Sequence, residues 1–318
     1  MGIHKAGKNC MYDLIGDIHG YANRLSVLLE KMNYRNKGGH YAHPARLAIF
    51  LGDLIDRGPK IRETVHLVRD MVEAGTALAV MGNHEFNALC FHTKDPQSGD
   101  YLRSHTESHL TQHQATQEAF RGHSVEWQET LDWFKTLPLF LELGGIRIVH
   151  ACWDDRLLEV PGWVPNRRPV ETSFLVEASR KESELFRTID TLIKGPEIPL
   201  PDGAIIDKDG ALRSKIRVRW WLEASSRTYR EVALGYDGEM LQQIPDKPIP
   251  REFHCLFPIY RSTQKPVFIG HYWMKGSRPE RAATNIACLD YSVAKGGPMV
   301  AYRWDGEAEI DNGKFVTA

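Results

Sequence analysis

Seven side chains in this 318-residue chain have types and spacing suited to metal chemistry: Asp17 and His19, Asp53, Asn83 and His84, His150 and His271. Asp17, Asp53 and Asn83 directly follow glycines, and each member of the set closes an apolar run or lies just beyond one. They are hard or borderline oxygen and nitrogen donors with no thiolate, a set that suits divalent cations such as manganese, iron or zinc. One carboxylate shared between two such ions, about 3.5–4 Å apart, makes a site that polarises a phosphoryl oxygen and lowers the pKa of a bound water. Hydroxide is then available near neutral pH for in-line attack on phosphorus. A lone histidine at the end of a strand is more often structural, so the chemical reading rests on the convergence of the set.

The elements that must position these residues follow from the pattern of apolar positions. Residues 12–16 read as a strand and 21–32 as a helix with Leu25, Leu28, Leu29 and Met32 on one face. Residues 46–51 read as a second buried strand ending at Gly52-Asp53. A helix with Ile61, Val65, Val68 and Met71 on one face follows, and residues 77–81 form a third strand ending at Gly82-Asn83-His84-Glu85. Strands alternating with helices through short links predict βαβ units, whose chemistry sits beyond the carboxyl ends of the strands. Residues 139–143 and 146–149 predict a hairpin across Gly144-Gly145, delivering His150. Strands at 266–269, 285–289 and 299–304 predict a second sheet, and the last dozen residues a weak strand or tail. Between these elements lie two stretches of different character. Residues 91–137 predict a helical insertion. Residues 154–260, with a helix at 173–193 and a strand at 216–221, predict an insertion that shapes a substrate cleft. The whole, 1–318, reads as a single domain.

The bulk properties narrow the class. At 42% hydrophobic, 25% charged and a formal net charge of −1, the chain carries no global field for nucleic acid or an anionic membrane. Five widely spaced cysteines (Cys10, Cys90, Cys152, Cys255 and Cys288) without a C-x-x-C predict a reduced compartment rather than a disulfide framework or thiolate zinc site. The first nine residues lack a signal-peptide core and no apolar run approaches the roughly 20 residues of a membrane span, so the expectation is cytoplasmic.

Three runs carry a more specific likeness. Gly16-Asp17-Ile18-His19-Gly20, Gly52-Asp53-Leu54-Ile55-Asp56-Arg57-Gly58 and Gly82-Asn83-His84-Glu85 resemble the signature motifs of the calcineurin-like metallophosphoesterases. The Asp-Arg-Gly ending resembles the phosphoprotein-phosphatase branch, which includes Ser/Thr protein phosphatases and bacterial symmetrical diadenosine-tetraphosphate hydrolases. The resemblance implies a four-layer α/β/β/α sandwich of two mixed sheets flanked by helices. It implies a dinuclear metal-dependent phosphoric ester hydrolase that uses metal-bound hydroxide, with manganese the first expectation. By position, Asp17 and His19 would hold one metal, Asp53 would bridge, and Asn83, His150 and His271 would hold the other. His84 would be the general acid oriented by Asp56, and Arg57 would clamp phosphate. A further phosphate-binding arginine is expected between the two late histidines. Arg217 and Arg219 are the candidates, with Arg219 preferred. Glu85 reads equally as support for the site or as a charge in the first turn of a helix.

Other features take plainer readings. His105, His109 and His113 recur at i, i+4 and i+8 and read as a solvated polar face. Trp220, Trp221, Tyr272 and Trp273 read as core aromatics that could stack on a base. Lys295 reads as a loop lysine, and Cys152 as a small buried residue. The substrate expected first is a phosphoprotein or small phosphomonoester. A diadenosine polyphosphate is the alternative, because the loop at residues 289–297 departs from the hydrolase pattern. A metal-binding scaffold without catalysis is the remaining class, disfavoured by Asp56, Arg57 and His84.

Overall fold

The computed structural model describes residues 11–160, 170–201, 203–206 and 212–318, so the first nine residues and Cys10 lie outside it. Two mixed sheets face each other. Numbering their strands in chain order, the first sheet contains β1 (Met11–Ile15), β2 (Arg46–Phe50), β3 (Ala77–Ala79), β8 (Val300–Trp304) and β9 (Phe315–Thr317). The second contains β4 (Phe140–Glu142), β5 (Arg147–Val149), β6 (Val267–Ile269) and β7 (Ile286–Cys288). The strand orders are β9-β8-β1-β2-β3 and β7-β6-β5-β4. In the first sheet β1, β2 and β3 run parallel while β8 and β9 are antiparallel additions. In the second, β5, β6 and β7 are parallel and β4 pairs antiparallel with β5.

Period-two alternation decides which side chains enter which layer. Leu14, Ile49, Ile148, Phe268, Ala287 and Tyr302 point into a core between the sheets. Their neighbours Ile15, Phe50, Val149, Ile269, Cys288 and Ala301 point outward into a larger core with the helices. Those helices include α1 (Ala22–Lys31), α2 (Ile61–Glu73) and α3 (Asn83–His92). The expected 91–137 insertion forms α4 (Glu107–Ala119) and α5 (Ser124–Phe134). Two more, α6 (Thr172–Ser179) and α7 (Glu184–Lys194), stand where one helix is expected at 173–193. The break coincides with Ser183, whose side chain caps α7 by accepting from the Phe186 N–H. The four-layer α/β/β/α arrangement implied by the motifs is therefore present.

Three expectations need correction. The 299–304 strand belongs to the first sheet, pairing with β1, because Tyr302 and Trp304 fill the inter-sheet core from that side. The polar stretch from Asn36 to Pro44 reads from its composition as a turn, but Arg35–Lys37 and His40–Ala42 pair there as a small hairpin. The strand expected at 216–221 stops at Arg217, where Lys215–Arg217 pairs with Glu197–Pro199. Beyond it the chain turns, and Trp220 is buried with its indole N–H donating to the Ala151 carbonyl. The surrounding region carries a small core of its own around Ile198, Ile216, Tyr229, Val232 and Ile249.

Candidate metal centre and active site

The tips of β1, β2, β3, β5 and β6 meet where the two sheets adjoin. Two glycines allow this approach. Gly52 has φ +92°, and a Cβ there would lie 2.4 Å from the Gly82 nitrogen. A Cβ on Gly82 would lie 2.3 Å from an Asp53 carboxylate oxygen. Only hydrogen fits at both positions, so the second and third motifs pack backbone to backbone. Glu85, fully buried in the first turn of α3, fastens them. Its carboxylate accepts from the Asp53 and Leu54 N–H groups at 2.8 Å and from the Gly82 N–H at 3.0 Å. Both readings of Glu85 are thus met by one side chain. The first motif is tied to the second by His19 N–H to the Asp53 carbonyl at 2.8 Å and Gly58 N–H to the His19 carbonyl at 2.9 Å.

The site backbone is strained in a consistent way. His19, Asp53, Asp56, Arg57 and His271 have φ of 47°, 52°, 66°, 68° and 69°. Non-glycine residues in this region cost about 1–3 kcal/mol each, and they persist where the surroundings over-determine them.

Asp53 is the hub. Its carboxylate belongs to two groups of ligand-type atoms, His19–Asp53–His84 and Asp53–His150–His271, each lying within 4.8 Å of one another and all buried. One oxygen faces His150 Nε2 at 3.3 Å, while the other faces His19 Nε2 at 3.7 Å and His84 Nε2 at 3.8 Å. Asn83 completes the second group, with its Oδ1 3.1 Å from His150 Nε2 and 2.8 Å from His271 Nδ1. Asp17 lies alongside, accepting the His271 N–H at 3.1 Å. Its room comes from Gly270, where a Cβ would meet the Asp17 carboxylate at 2.1 Å.

These residues fit two divalent cations. His19 Nδ1 lies 3.0 Å from the Ile55 carbonyl and His150 Nδ1 2.6 Å from the Leu51 carbonyl. In the tautomer that donates to Ile55, His19 Nε2 offers a lone pair on the side of the Asp53 carboxylate. At His150 burial opposes the imidazolium, but the Asp53 carboxylate outweighs it and pushes the pKa up to about 10, so a cation there takes the place of the Nε2 proton. His19 Nε2 and His271 Nε2 are buried without a protein partner, a loss of about 1–3 kcal/mol for each group unless something satisfies it. Burial, with the neighbouring histidine His84, lowers the His19 pKa to about 4. Burial and Arg217 hold His271 well below the ordinary imidazole value. Both imidazoles are therefore neutral and able to coordinate a cation. Burial and the nearby Asp290 carboxylate push Asp17 well above the usual carboxylate range. A cation relieves both the unpaired nitrogens and the crowded carboxylates.

His84 is held differently. Its Nδ1 lies 2.5 Å from Asp56 Oδ2. Burial opposes the imidazolium, but the Asp53 and Asp56 carboxylates outweigh it and raise the His84 pKa. Asp56 in turn receives His113 Nδ1 at 2.8 Å and the Thr116 hydroxyl at 2.5 Å, while its own N–H donates to Thr116 Oγ1 at 3.0 Å. Burial would raise the Asp56 pKa, but hydrogen bonds from His113 and His84 hold it well below the ordinary value.

His113 thus departs from the solvated face expected of it: it is 5% exposed. The signal was its phase rather than its spacing to other histidines. His113, Thr116 and Phe120 fall at i, i+3 and i+7, the stripe of a packed helix face. His105 instead lies between the rings of Phe91 and Tyr101, with centroids 3.8 and 4.0 Å away. The remaining sequence candidates separate. Arg57 reaches the ring of Trp273, 5.2 Å from its centroid, and Arg217 reaches the same ring at 5.6 Å. Arg219 does not join them: the strand ends before it, and it lines a neighbouring cleft. Lys295, 4.6 Å from the Trp273 centroid, does join them. Asp290, which motif reading passed over as a ligand, is buried and accepts the Trp273 N–H at 2.7 Å. Cys152 is buried, and burial pushes its thiol well up, so it is inert. Among the described residues no helix is long and apolar enough to cross a membrane.

Comparison with known proteins places this geometry. Over 74 residues the chain is 49% identical to an asymmetrical bis(5'-nucleosyl)-tetraphosphatase of Halalkalibacterium halodurans, covering 23% of this chain and 30% of that one. The chain thus spans less than a third of the length of this first curated relative. Over 300 residues it is 24% identical to a symmetrical bis(5'-nucleosyl)-tetraphosphatase of Actinobacillus succinogenes, covering 92% of each. Among solved structures, a protein serine/threonine phosphatase from Saccharomyces cerevisiae aligns with 13% identity and a TM-score of 0.49, covering 99% of this chain and 80% of that one. The sequence profile of the calcineurin-like phosphoesterases matches residues 12–201, and the chain belongs to that family.

Proposed function

We propose that the chain is a two-metal phosphoesterase whose substrate is a small phosphorylated molecule, a nucleoside polyphosphate foremost. One observation carries the catalytic part: the His84–Asp56 pair, at 2.5 Å, stands directly beside the Asp53-centred ligand groups. A pure metal-binding scaffold has no use for that pair. Asp17, His19, Asp53, Asn83, His150 and His271 would hold two divalent ions, manganese first, which supply Lewis acidity and a water of lowered pKa. His84 Nε2 hands its proton to the leaving oxygen, typically worth about 10²–10⁴-fold. Asp56 fixes the tautomer by accepting from Nδ1. Arg57 and Arg217 neutralise phosphoryl oxygens from the side of Trp273.

The substrate preference reverses the order expected from the motifs, which set phosphoproteins first. It is supported by the tetraphosphatase names of the relatives, one of them similar across nearly the whole chain.

The test is kinetic. With Mn²⁺ present, Asp53→Asn is expected to abolish p-nitrophenyl phosphate turnover and most bound metal. His84→Asn is expected to lose about 10²–10⁴-fold on an alkyl phosphate, whose leaving group needs a proton. Full activity of the His84 variant on the alkyl ester rejects the acid role. Faster hydrolysis of a phosphopeptide than of diadenosine tetraphosphate restores the phosphoprotein reading.

A further inference from the structure

The hydrogen-bonded chain behind His84 continues past His113 to a fourth side chain. His113 Nε2 lies 3.1 Å from His92 Nε2. His84, Asp56, His113 and His92 are thus joined in that order by contacts of 2.5, 2.8 and 3.1 Å. The first three residues are buried and His92 is half-buried, so the chain runs from the site toward solvent. His92 is the last residue of α3, the helix that begins with Asn83 and His84. Eight residues separate the two histidines, about 12 Å along the helix axis. The chain therefore leaves α3 at its first turn, crosses the Asp56 loop and α4, and returns to α3 at its last.

An imidazole in an aromatic pocket can be plain packing. The Trp127 ring does stand 5.2 Å from that of His92 and 5.9 Å from that of His113, and the Phe91 ring 5.2 and 5.0 Å from them. Packing alone, however, gives no reason for a nitrogen of each ring to face the other. At 3.1 Å the two nitrogens share one proton, because two lone pairs or two N–H groups would repel. The donor order then propagates. Burial would raise the Asp56 pKa, but hydrogen bonds from His113 and His84 keep it ionised, so it only accepts, and His113 Nδ1 must donate to it. Burial, with His113 and His105 nearby, lowers the His92 pKa to about 4. Neutral His92 can then donate to a bare His113 Nε2 or accept from a protonated one, and in either state the His113 Nδ1–H faces Asp56.

We propose that His92 is a further positioning residue: by engaging His113 Nε2 it confines a proton to His113 Nδ1, which holds Asp56 and, through Asp56, the ring of His84. The inference rests on the phosphoesterase reading above and on the acid role of His84, and adds the outer member of the chain behind it. His92 touches no reacting atom. A His113 without this partner is free to move its proton to Nε2, and the bare Nδ1 would then repel Asp56.

The experiment measures kcat and KM of the native chain, His92→Leu and His92→Gln on an alkyl phosphate and on p-nitrophenyl phosphate in excess Mn²⁺. His92→Leu is expected to lower kcat on the alkyl ester about fivefold, the scale of one neutral hydrogen bond, with KM unchanged. On p-nitrophenyl phosphate, whose leaving group needs no proton, the loss is expected to be at most about twofold. His92→Gln, whose amide can still donate, is expected to regain most of the alkyl-ester rate. Nitrogen NMR of the histidine rings, with Mg²⁺ in place of paramagnetic Mn²⁺, gives a readout independent of turnover. It is expected to show a protonated His113 Nδ1 in the native chain, and faster exchange of that proton with water in His92→Leu. A bare His113 Nδ1 in the native chain overturns the proposal. So does a native alkyl-ester rate in His92→Leu, or an equal loss on both esters. Failure of the native chain to hydrolyse either ester strikes the phosphoesterase reading instead, and the ring spectra then still decide whether His92 fixes the His113 proton.

Discussion

At the scale of single residues, the site depends on a carboxylate that belongs to neither group of ligand-type atoms. Asp56 gathers His84, His113 and Thr116 around two oxygens. His113 acts through Asp56, so it is a positioning residue. Its removal is expected to lower kcat about tenfold with little change in KM, and His113→Asn, which keeps a donor, is expected to recover part of that loss. Rates on alkyl and p-nitrophenyl esters separate this from a structural defect: only the ester that needs a proton should suffer fully. Linkage supplies a second reading. The Asp56 pKa is depressed in the fold, so its stabilisation is present above the unfolded value near 4 and is lost as pH falls through the folded value. His113→Ala brings the folded value closer to the unfolded one. Melting of the metal-free proteins should therefore show the widest gap between native and variant at pH 7, narrowing toward pH 3. Asp56 and His84 were legible because each follows a glycine-marked strand tip. His113 was not, because a histidine flanked by Gln and Thr looks solvated until the helix phase is matched with Thr116 and Phe120.

At the scale of elements, strand tips were legible and strand neighbours were not. Glycine followed by polar residues marks where β1, β2 and β3 end, whatever lies beside them. Nothing in the period-two pattern of Val300–Trp304 says which sheet receives it. The choice falls to inter-sheet packing of Tyr302 and Trp304. Likewise period-two alternation would put Arg217 and Arg219 on one face, but the ladder ends at Arg217. The join between elements that matters most is Glu85. Glu85→Ala strands three buried N–H donors, for an expected loss of about 3 kcal/mol or more in stability. It should also weaken Mn²⁺ binding by loosening Asp53. Thermal melting and metal titration check the two effects separately. Retention of native Mn²⁺ affinity would show that Asp53 is held without the Glu85 clasp.

At the scale of the whole molecule, the candidate ligand set is divided between the sheets. Asp17, His19, Asp53 and Asn83 follow strands of the first, His150 and His271 strands of the second. A cation bound by both groups cross-links the layers, and binding to the folded state alone adds stability by mass action. At free Mn²⁺ of 100 times the dissociation constant the gain is about 2.7 kcal/mol, several degrees in melting temperature. Asp53→Asn is expected to remove that shift, and a chelator to reverse it in the native chain. A shift that persists in the variant would place the bound ion elsewhere.

The left-handed backbone at His19, Asp53, Asp56, Arg57 and His271 has a consequence for what this centre can become. Four of these bends are held by a partner from another segment: His19 N–H by the Asp53 carbonyl, Asp53 N–H by Glu85, Asp56 N–H by Thr116 and His271 N–H by Asp17. The motif residues are therefore not a portable cassette. Copied into a short peptide, the same letters would relax toward ordinary extended or helical turns, and the ligand atoms would scatter. The chemistry belongs to the joint between two sheets, and it is inherited with that joint or not at all.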